Sequence, residues 1–289
     1  MIKLKKIKSF IGVLLICTLL FSFVSLSLGN LATASTGAGN FLPNVFYDSS
    51  ENGFDTEDEI DRSQITFDYV TYLFGSRYGY GYVITGVNST AAKLHYQAGL
   101  SNLQNYDNIV FFSKGHRTVK NGEIGIIPNH TVPYPDVNSY LLSSEIYSHT
   151  SSKNVVTFMW HCQTAQYYPG NGLPYAFTHN PILGYYGGTG DEVFLGWEDR
   201  YDFYIQWPNG TTVLSPYNRT VGSPQYEWKM TPTNDFGRVA ELYWYYMSIG
   251  YSSIDALDLV CRAIYGVRFS SSYINGWLVI WGNKNMLLP

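Results

Sequence analysis

The stretch Asn108-Ile-Val-Phe-Phe-Ser-Lys-Gly-His116 decides how the rest of the sequence is interpreted. Its first part, Asn108–Ser113, is a short apolar run typical of a strand that is buried on both faces. Three further runs of this kind follow along the chain: Asn154–Trp160, Val193–Trp197 and Trp277–Trp281. Continuous apolar strands that alternate with helices predict a largely parallel sheet covered on both of its faces.

The segments between these strands supply the remaining elements. Helical spacing of apolar residues predicts helices over Ala91–Leu103, Tyr140–Ser148, Phe236–Ile249 and Ser253–Tyr265. Runs of β-branched and aromatic residues favour two more strands, Ile65–Phe74 and Tyr80–Thr85. Pro208-Asn209-Gly210 predicts the turn of a β-hairpin, inserted between strand-like residues from Tyr201 to Leu214.

The N-terminus has the pattern of an export signal. Four lysines among the first eight residues precede an uncharged apolar run from Phe10 to Leu28, and Ala32-Thr33-Ala34 supplies the small residues of a cleavage site. An uncleaved membrane anchor is the alternative, because this run is long enough to span a bilayer. We therefore interpret residues 1–34 as a signal peptide, 35–64 as an extended Gly-, Ser- and Asp-rich lead-in, and 65–289 as one α/β domain that is extracellular or at the cell surface.

Composition limits the partners of this domain. Charged residues make up only 14% of the chain and its net charge is −4, so no basic surface for nucleic acid is expected. A membrane partner is expected only through the N-terminal segment, if it stays uncleaved. Four sequons mark candidate glycosylation sites on the surface: Asn88, Asn129, Asn209 and Asn218.

Two cysteines, Cys162 and Cys261, remain after the signal segment. A disulfide between them is the ordinary explanation in an exported protein. However, Cys261 falls within the apolar stripe of the predicted helix Ser253–Tyr265, where a free cysteine acts as a small hydrophobic residue. We therefore favour two free thiols.

Two of the apolar strands end in chemically useful residues, His116 and Cys162. Reactive groups collect at the carboxyl edge of a parallel sheet, so neighbouring strands would bring these two side chains together. A free thiol, with a pKa of about 8.5, is only slightly ionised at neutral pH, and a nearby imidazole can accept its proton. The backbone N–H groups of Cys162 and Arg117 are candidate donors to the oxyanion that would form.

A strand ending in Phe-Phe-Ser-Lys-Gly-His116, followed by another that ends at Cys162, resembles the caspase, legumain and gingipain clan of cysteine peptidases. The C-terminal sequence is similar to the helix and closing strand of gingipain-type catalytic domains. The resemblance covers roughly residues 66–289. It implies a caspase-like three-layer α/β/α sandwich, with His116 as the catalytic histidine and Cys162 as the nucleophile. The sequence departs from the clan at Arg117, where glycine is usual, and at His161, where an acidic or small residue is common.

Other residues are weaker candidates. His179 could line the site, although a turn residue before proline is the ordinary interpretation. Asp191 and Glu192 could select a basic substrate side chain, or they could simply be solvent-exposed residues at the start of a strand. We interpret His161 as a packing or hydrogen-bonding residue. No spacing of histidines and cysteines resembles a zinc site, and we expect neither a metal nor a cofactor.

The sequence therefore predicts an exported cysteine peptidase that cleaves peptide or protein substrates through a thioester on Cys162. The alternative is a catalytically inactive, peptidase-like surface glycoprotein with a binding or envelope role, which Arg117 and the sequons favour. A sortase-like transpeptidase also places histidine before cysteine, but the late helices and the parallel-type strands argue against its barrel.

Overall fold

The computed structural model describes residues 34–42, 44–45, 57–79, 82–84, 91–130, 138–161, 164–166, 172–181, 183, 190–197, 204–206, 212–214, 235–272, 274–275 and 278–289. The described chain from Thr36 onward belongs to one compact unit. The proposed signal segment, apart from Ala34, lies outside the described residues, as do Cys162 and three of the four sequon asparagines (Asn88, Asn209 and Asn218). The fourth, Asn129, begins a two-residue strand.

The strands are β1 (Thr36–Phe41), β2 (Asn44–Val45), β3 (Tyr82–Ile84), β4 (Asn108–Lys114), β5 (Arg117–Lys120), β6 (Glu123–Ile126), β7 (Asn129–His130), β8 (Leu141–Leu142), β9 (Asn154–Trp160), β10 (Val193–Trp197), β11 (Tyr204–Gln206), β12 (Thr212–Leu214) and β13 (Leu278–Gly282). The helices are α1 (Glu57–Tyr78), α2 (Ala92–Leu103), α3 (Ser143–Ser148), α4 (Leu173–Thr178), α5 (Asp235–Ser248) and α6 (Ser253–Tyr265). A 3₁₀ turn, Phe269–Ser271, follows α6.

Six strands form the main sheet in the spatial order β3-β1-β4-β9-β10-β13. All neighbouring pairs are parallel except β10 and β13, which are antiparallel. Counted along the chain, the five parallel strands have the order 2-1-3-4-5, which is a doubly wound arrangement. The predicted α/β class with a mostly parallel sheet is confirmed.

Helices cover both faces of this sheet. Alternate residues of β4 point to opposite faces: Val110 and Phe112 join a core that contains residues of α1, α5 and α6. Ile109 and Phe111 join a second core that contains residues of α2, α3 and α4. This layering agrees with an α/β sandwich, and it explains why β4 reads as an unbroken apolar run.

Smaller sheets flank the main one. β5, β6 and β8 form a three-stranded antiparallel sheet, and β2 pairs with β7. β11 pairs antiparallel with β12, so the predicted β-hairpin is confirmed, while its turn at 208–210 lies outside the described residues. Among the helices of the described ranges, none is long and apolar enough to cross a bilayer.

The strand predicted over Ile65–Phe74 is wrong, because this segment lies inside helix α1. Its β-branched and aromatic residues favoured a strand, but their burial follows helical spacing. Phe67, Val70 and Phe74 are buried, whereas Ile65 and Tyr72 are exposed. Residues three and four apart share one face of a helix, so packing against α5 outweighs the strand propensity.

The segment predicted as an extended lead-in also differs. Thr36–Phe41 is β1, which lies inside the main sheet between β3 and β4. Its composition, with Gly37 and Gly39, resembles a loop, yet both glycines are needed for packing. A Cβ atom at Gly39 would lie 2.6 Å from Leu103 Cδ1 and 2.9 Å from Phe111 Cδ2. The domain therefore includes residues that composition assigned to the lead-in.

Candidate active site at the carboxyl ends of β4 and β9

The carboxyl ends of β4 and β9 lie side by side. The two strands are parallel neighbours, and their register pairs Lys114 with Trp160. Beyond this pair, the backbone N–H of Gly115 donates to the carbonyl oxygen of Trp160 over 3.2 Å. The structure therefore brings the segment that carries His116 against the segment that leads to Cys162.

His161 is the described residue closest in sequence to Cys162, and it bonds directly to the His116 segment. Its Nδ1 atom lies 3.2 Å from the backbone carbonyl oxygen of His116. Its Nε2 atom lies 2.9 Å from the hydroxyl oxygen of Ser113. The side chain is only 1% exposed, so the prediction that His161 is a hydrogen-bonding residue is confirmed.

These contacts assign the tautomer of His161. A carbonyl oxygen can only accept, so Nδ1 carries the proton and donates to His116. Nε2 is then the acceptor, and the Ser113 hydroxyl donates to it. The Ser113 oxygen lies 3.4 Å from the hydroxyl of Tyr96, which becomes its donor. The result is a buried chain of hydrogen bonds that runs from Tyr96 through Ser113 and His161 to the main chain of His116.

Burial holds this chain in its neutral form. Loss of hydration lowers the pKa of His161 to about 3, although its bond to the His116 carbonyl opposes the shift. Burial also raises the pKa of Tyr96 well above its usual value. At neutral pH His161 is therefore an uncharged imidazole that fixes geometry, and it is too buried to exchange protons with a substrate.

Lys114 and Trp160 are the last residues of β4 and β9, and their side chains contact each other at this edge of the sheet. Lys114 is only 6% exposed, and its ammonium group lies 5.2 Å from the centre of the Trp160 ring. A cation at this distance from an indole face is attracted by the ring. The pair places a buried lysine beside the His116 segment, a contact between two strands that the local sequence of either strand does not show.

Arg117 begins β5 directly after His116. The N–H of Ile127 donates to the carbonyl oxygen of His116 over 3.0 Å, so these two residues form a hydrogen-bonded antiparallel pair. The next pair, Arg117 with Ile126, is then a non-hydrogen-bonded pair. The Arg117 N–H therefore points away from β6, on the side of β5 that has no neighbour in its three-stranded sheet.

His179 lies away from this site. It follows α4 in a left-handed conformation, with φ of 56°. Its Nε2 atom lies 3.1 Å from the Thr150 hydroxyl, and its ring stacks on Tyr147 at 3.8 Å between centres. The side chain of Asn154, the first residue of β9, donates to the carbonyl of Phe177 in α4. This end of α4 is therefore at the amino end of β9, opposite the His116 segment.

Asp191 and Glu192 also precede their strand at the amino edge of the sheet. Asp191 is exposed, whereas Glu192 is 8% exposed and accepts hydrogen bonds from Asn180 and from the Asp191 N–H. The Glu192 carbonyl also accepts from the N–H of Asn283, which ties β10 to the end of β13. The structure does not bring either carboxylate to His116.

Cys261 is a free thiol buried in the core, with an exposed fraction of 0%. Burial raises its pKa to about 12. Its Sγ donates to the hydroxyl of Ser272 over 3.4 Å. The expectation that this cysteine is a packing residue and not half of a disulfide is confirmed. Within the described ranges, no group of three His, Cys, Asp or Glu side chains is placed to hold a metal ion.

The chemistry of this site is inferred from its own geometry. The pairing of β4 with β9 and the hydrogen bonds of His161 are the observations that bear on its chemistry. Neither the models of known protein families nor the curated proteins give a match to this chain.

Proposed function

We propose that this protein is an exported cysteine peptidase of caspase-like fold, in which Cys162 attacks the peptide bond and His116 is its base. The observation that carries the proposal is the meeting of two chain segments. The main chain of His116 accepts a hydrogen bond from His161, and Cys162 is the next residue after His161. Cys162 itself lies outside the described residues.

The order of elements supports the caspase-like assignment. A parallel strand ends before His116, its neighbour ends before Cys162, and helix α6 precedes a closing strand that is antiparallel to β10. This is the order on which the resemblance to gingipain-type domains rests. Layers of helices on both faces of the sheet agree with it.

The proposed reaction proceeds in two halves. His116 takes the proton of the Cys162 thiol, and the sulfur attacks the carbonyl carbon of the substrate. The tetrahedral intermediate collapses to a thioester, and the leaving amine receives its proton from His116. Water then loses a proton to His116 and attacks the thioester, which releases the carboxylic acid and restores the thiol.

Two features of the described residues favour His116 as the base. His116 is half-buried, whereas His161 is enclosed and stays neutral with its Nδ1 proton committed to a carbonyl. The orientation of the Arg117 N–H, away from β6, leaves a donor for the oxyanion immediately after His116. A side chain at position 117 does not change the direction of this N–H.

A non-catalytic binding protein of the same fold is the second candidate. One observation favours it: Arg117 carries a large, half-buried side chain where the clan usually has glycine. In this case the fold would present a peptide-binding edge without turnover. The two candidates make opposite predictions for Cys162.

An activity-based thiol probe tests the proposal. A peptidyl acyloxymethyl ketone should label the native protein, and the label should be lost in Cys162→Ala and fall sharply in His116→Ala. Cys261→Ala is the matched control, because the buried Cys261 should not react and its removal should leave labelling intact. A peptide library should be hydrolysed by the wild type and by the Cys261 variant alone among these proteins.

Labelling that survives Cys162→Ala, or a library left intact by freshly purified wild-type protein with a free Cys162 thiol, would overturn the peptidase proposal. The second result, together with unchanged peptide binding in Cys162→Ala, would favour the non-catalytic candidate.

A further inference from the structure

A cleft of about 400 Å³ lies between α3, α4 and the start of β6. Its lining includes Glu123, Ser143, Ser144, Tyr147, Gly172 and Tyr175. A carboxylate and two tyrosine side chains therefore share one cavity of a size that admits a single amino-acid side chain. None of these residues belongs to the site at the ends of β4 and β9.

Glu123 is held in its charged form. Its Oε1 accepts a hydrogen bond from the Ser143 hydroxyl over 3.0 Å and from the Ser144 N–H over 2.6 Å. Burial alone would raise the pKa of this carboxyl, but the hydrogen bonds from Ser144 and Ser143 outweigh burial and lower it. A carboxylate has about four acceptor positions, so Glu123 keeps capacity for donors from a ligand.

Two lysines bear on the charge of the cleft. Lys93 is paired with Glu145 of α3 at 2.5 Å. Lys120 stands opposite Glu123 in the register of β5 and β6, but the pKa of Glu123 is lowered by its hydrogen bonds from Ser144 and Ser143 and not by a lysine. His179 adds no positive charge at neutral pH, because burial lowers its pKa. The carboxylate of Glu123 is therefore a negative charge that a cationic ligand can approach.

Two stacked tyrosine rings form one wall of the cleft. The rings of Tyr147 and Tyr175 are stacked with 5.1 Å between centres and 18° between planes, and their hydroxyls lie 3.4 Å apart. His179 stacks on Tyr147 and fixes the ring further. These residues favour a planar guanidinium over an ammonium group. A guanidinium packs on aromatic side chains and binds a carboxylate with two N–H groups.

The segments that build the cleft continue directly from the candidate catalytic residues. β5 starts immediately after His116, and its hairpin with β6 carries Glu123 at the tip. Four strand residues at about 3.4 Å each place this tip roughly 10–14 Å from the His116 main chain. Gly172 and α4 follow Cys162 by ten residues. An extended substrate bound at the site spans this distance with a few residues.

We propose that this cleft binds the guanidinium group of an arginine side chain in a peptide ligand, with Glu123 as the charged partner and Tyr175 as part of the wall. The assignment of the arginine to a peptide substrate rests on the function proposed above. The binding of the guanidinium group itself does not depend on catalysis.

Direct binding tests the proposal without turnover. The probes are acetyl-Ala-Arg-amide and acetyl-Ala-citrulline-amide, which differ by the charge of the terminal group. Both are titrated calorimetrically into the exported chain carrying Cys162→Ala. The arginine peptide should bind at least roughly tenfold more tightly than the citrulline peptide, as expected for a hydrogen-bonded charge pair.

Glu123→Gln keeps an oxygen that can accept from Ser143 and Ser144 but removes the charge. It should weaken binding of the arginine peptide roughly tenfold and leave the citrulline peptide unchanged. Glu145→Gln is the matched control, since Glu145 pairs with Lys93 and does not line the cleft, and it should preserve the preference. Tyr175→Leu should weaken both peptides. An unchanged thermal midpoint in Glu123→Gln identifies the effect as one on binding.

Equal affinity for the two peptides, or an arginine preference that survives Glu123→Gln, overturns the cleft assignment. The same holds if neither peptide binds at millimolar concentration. These results are separable from a failure of the proposed function. Binding of the arginine peptide through Glu123 without any hydrolysis would support the cleft assignment and contradict the peptidase proposal. Hydrolysis of peptides irrespective of arginine would support the peptidase proposal and contradict the cleft assignment.

Discussion

The Nδ1 atom of His161 lies 3.2 Å from the backbone carbonyl oxygen of His116, so the residue before one candidate catalytic group holds the main chain of the other. The bond crosses between the ends of β4 and β9, where no strand ladder continues. The hydroxyl of Ser113 donates to Nε2, the other ring nitrogen, and so holds the ring with Nδ1 directed at His116. In the proposed peptidase, His161 is therefore a positioning residue, and its replacement should act on catalysis through His116.

Replacement of His161 should separate positioning from binding. His161→Leu removes the donor to His116, and we expect kcat to fall by about tenfold to a hundredfold with little change in KM, because small displacements of a base are costly. His161→Asn keeps a donor near the position of Nδ1 and should restore part of kcat. Steady-state kinetics on a cleaved peptide measure both. A rise in KM at constant kcat would instead place His161 among the binding residues.

Acid should destabilise the protein through His161. The pKa of His161 is about 3 in the folded protein and about 6.5 when unfolded, so between these values the unfolded chain binds the extra proton. Stability therefore falls as pH decreases from 6.5, by about 2–3 kcal/mol at pH 4.5 from this residue alone. Urea unfolding at a series of pH values measures the slope.

The His161→Asn variant supplies the control for this pH dependence. Asparagine does not titrate, so the variant should be less stable at pH 7 but should lose less stability between pH 6.5 and 4.5. Parallel curves for the two proteins would show that His161 is accessible to protons in the folded state.

The hydrogen bond from Ser113 to His161 should contribute more to stability than the bond from Tyr96 to Ser113. Ser113→Ala leaves the buried Nε2 atom without its donor, and we expect a loss of about 1–3 kcal/mol. Tyr96→Phe removes a donor that is 3.4 Å from the Ser113 oxygen, which is long for O–H···O, and should cost about 1 kcal/mol or less. Urea unfolding ranks the two. A larger loss for Tyr96→Phe than for Ser113→Ala would contradict this ranking.

Much of the fold follows from the sequence because the sheet is buried on both faces. Strands such as β4, β9 and β10 are mostly apolar runs, so each can be predicted as a strand without knowing which strands lie beside it. β1 was missed because its glycines carry no apolar signal; their purpose is visible only once Leu103 and Phe111 are seen against Gly39. Helix α1 differs from the predicted strand because its β-branched and aromatic residues favour a strand, whereas its buried residues follow helical spacing.

The site was accessible to sequence reasoning only in part. His116 and Cys162 are predicted site residues because each follows an apolar strand, a signal that local sequence carries. The contributions of Ser113, Tyr96 and Glu123 depend on pairing between distant segments, since Ser113 and His161 are 48 residues apart. Asp191 and Glu192 precede a strand, and residues that precede parallel strands lie at the opposite edge from residues that follow them.

Substitution of Gly39 should show why β1 contains glycine. Gly39→Ala places a methyl group 2.6 Å from Leu103 Cδ1, and we expect a loss of about 1–3 kcal/mol through overpacking. Leu103→Ala alone should cost about 2–5 kcal/mol because it leaves a cavity. In the double variant the shortened side chain at position 103 leaves room for the new methyl group, so the total loss should be smaller than the sum of the two single losses. Strict additivity in urea unfolding would show that the two residues do not touch.

Cys261 should behave as an inert thiol in the native protein. Its side chain is enclosed, and burial raises its pKa to about 12, so almost no thiolate exists at pH 8. In a chain that lacks residues 1–34, and with them Cys17, and that carries Cys162→Ala, a thiol-reactive dye should leave the native protein unlabelled and should label Cys261 fully in denaturant. Native labelling should then proceed only at the rate of global unfolding, measured independently from urea kinetics. Faster labelling would mean that α6 opens locally and exposes its apolar face. A disulfide detected in the wild-type protein by intact mass spectrometry would contradict the free thiol directly.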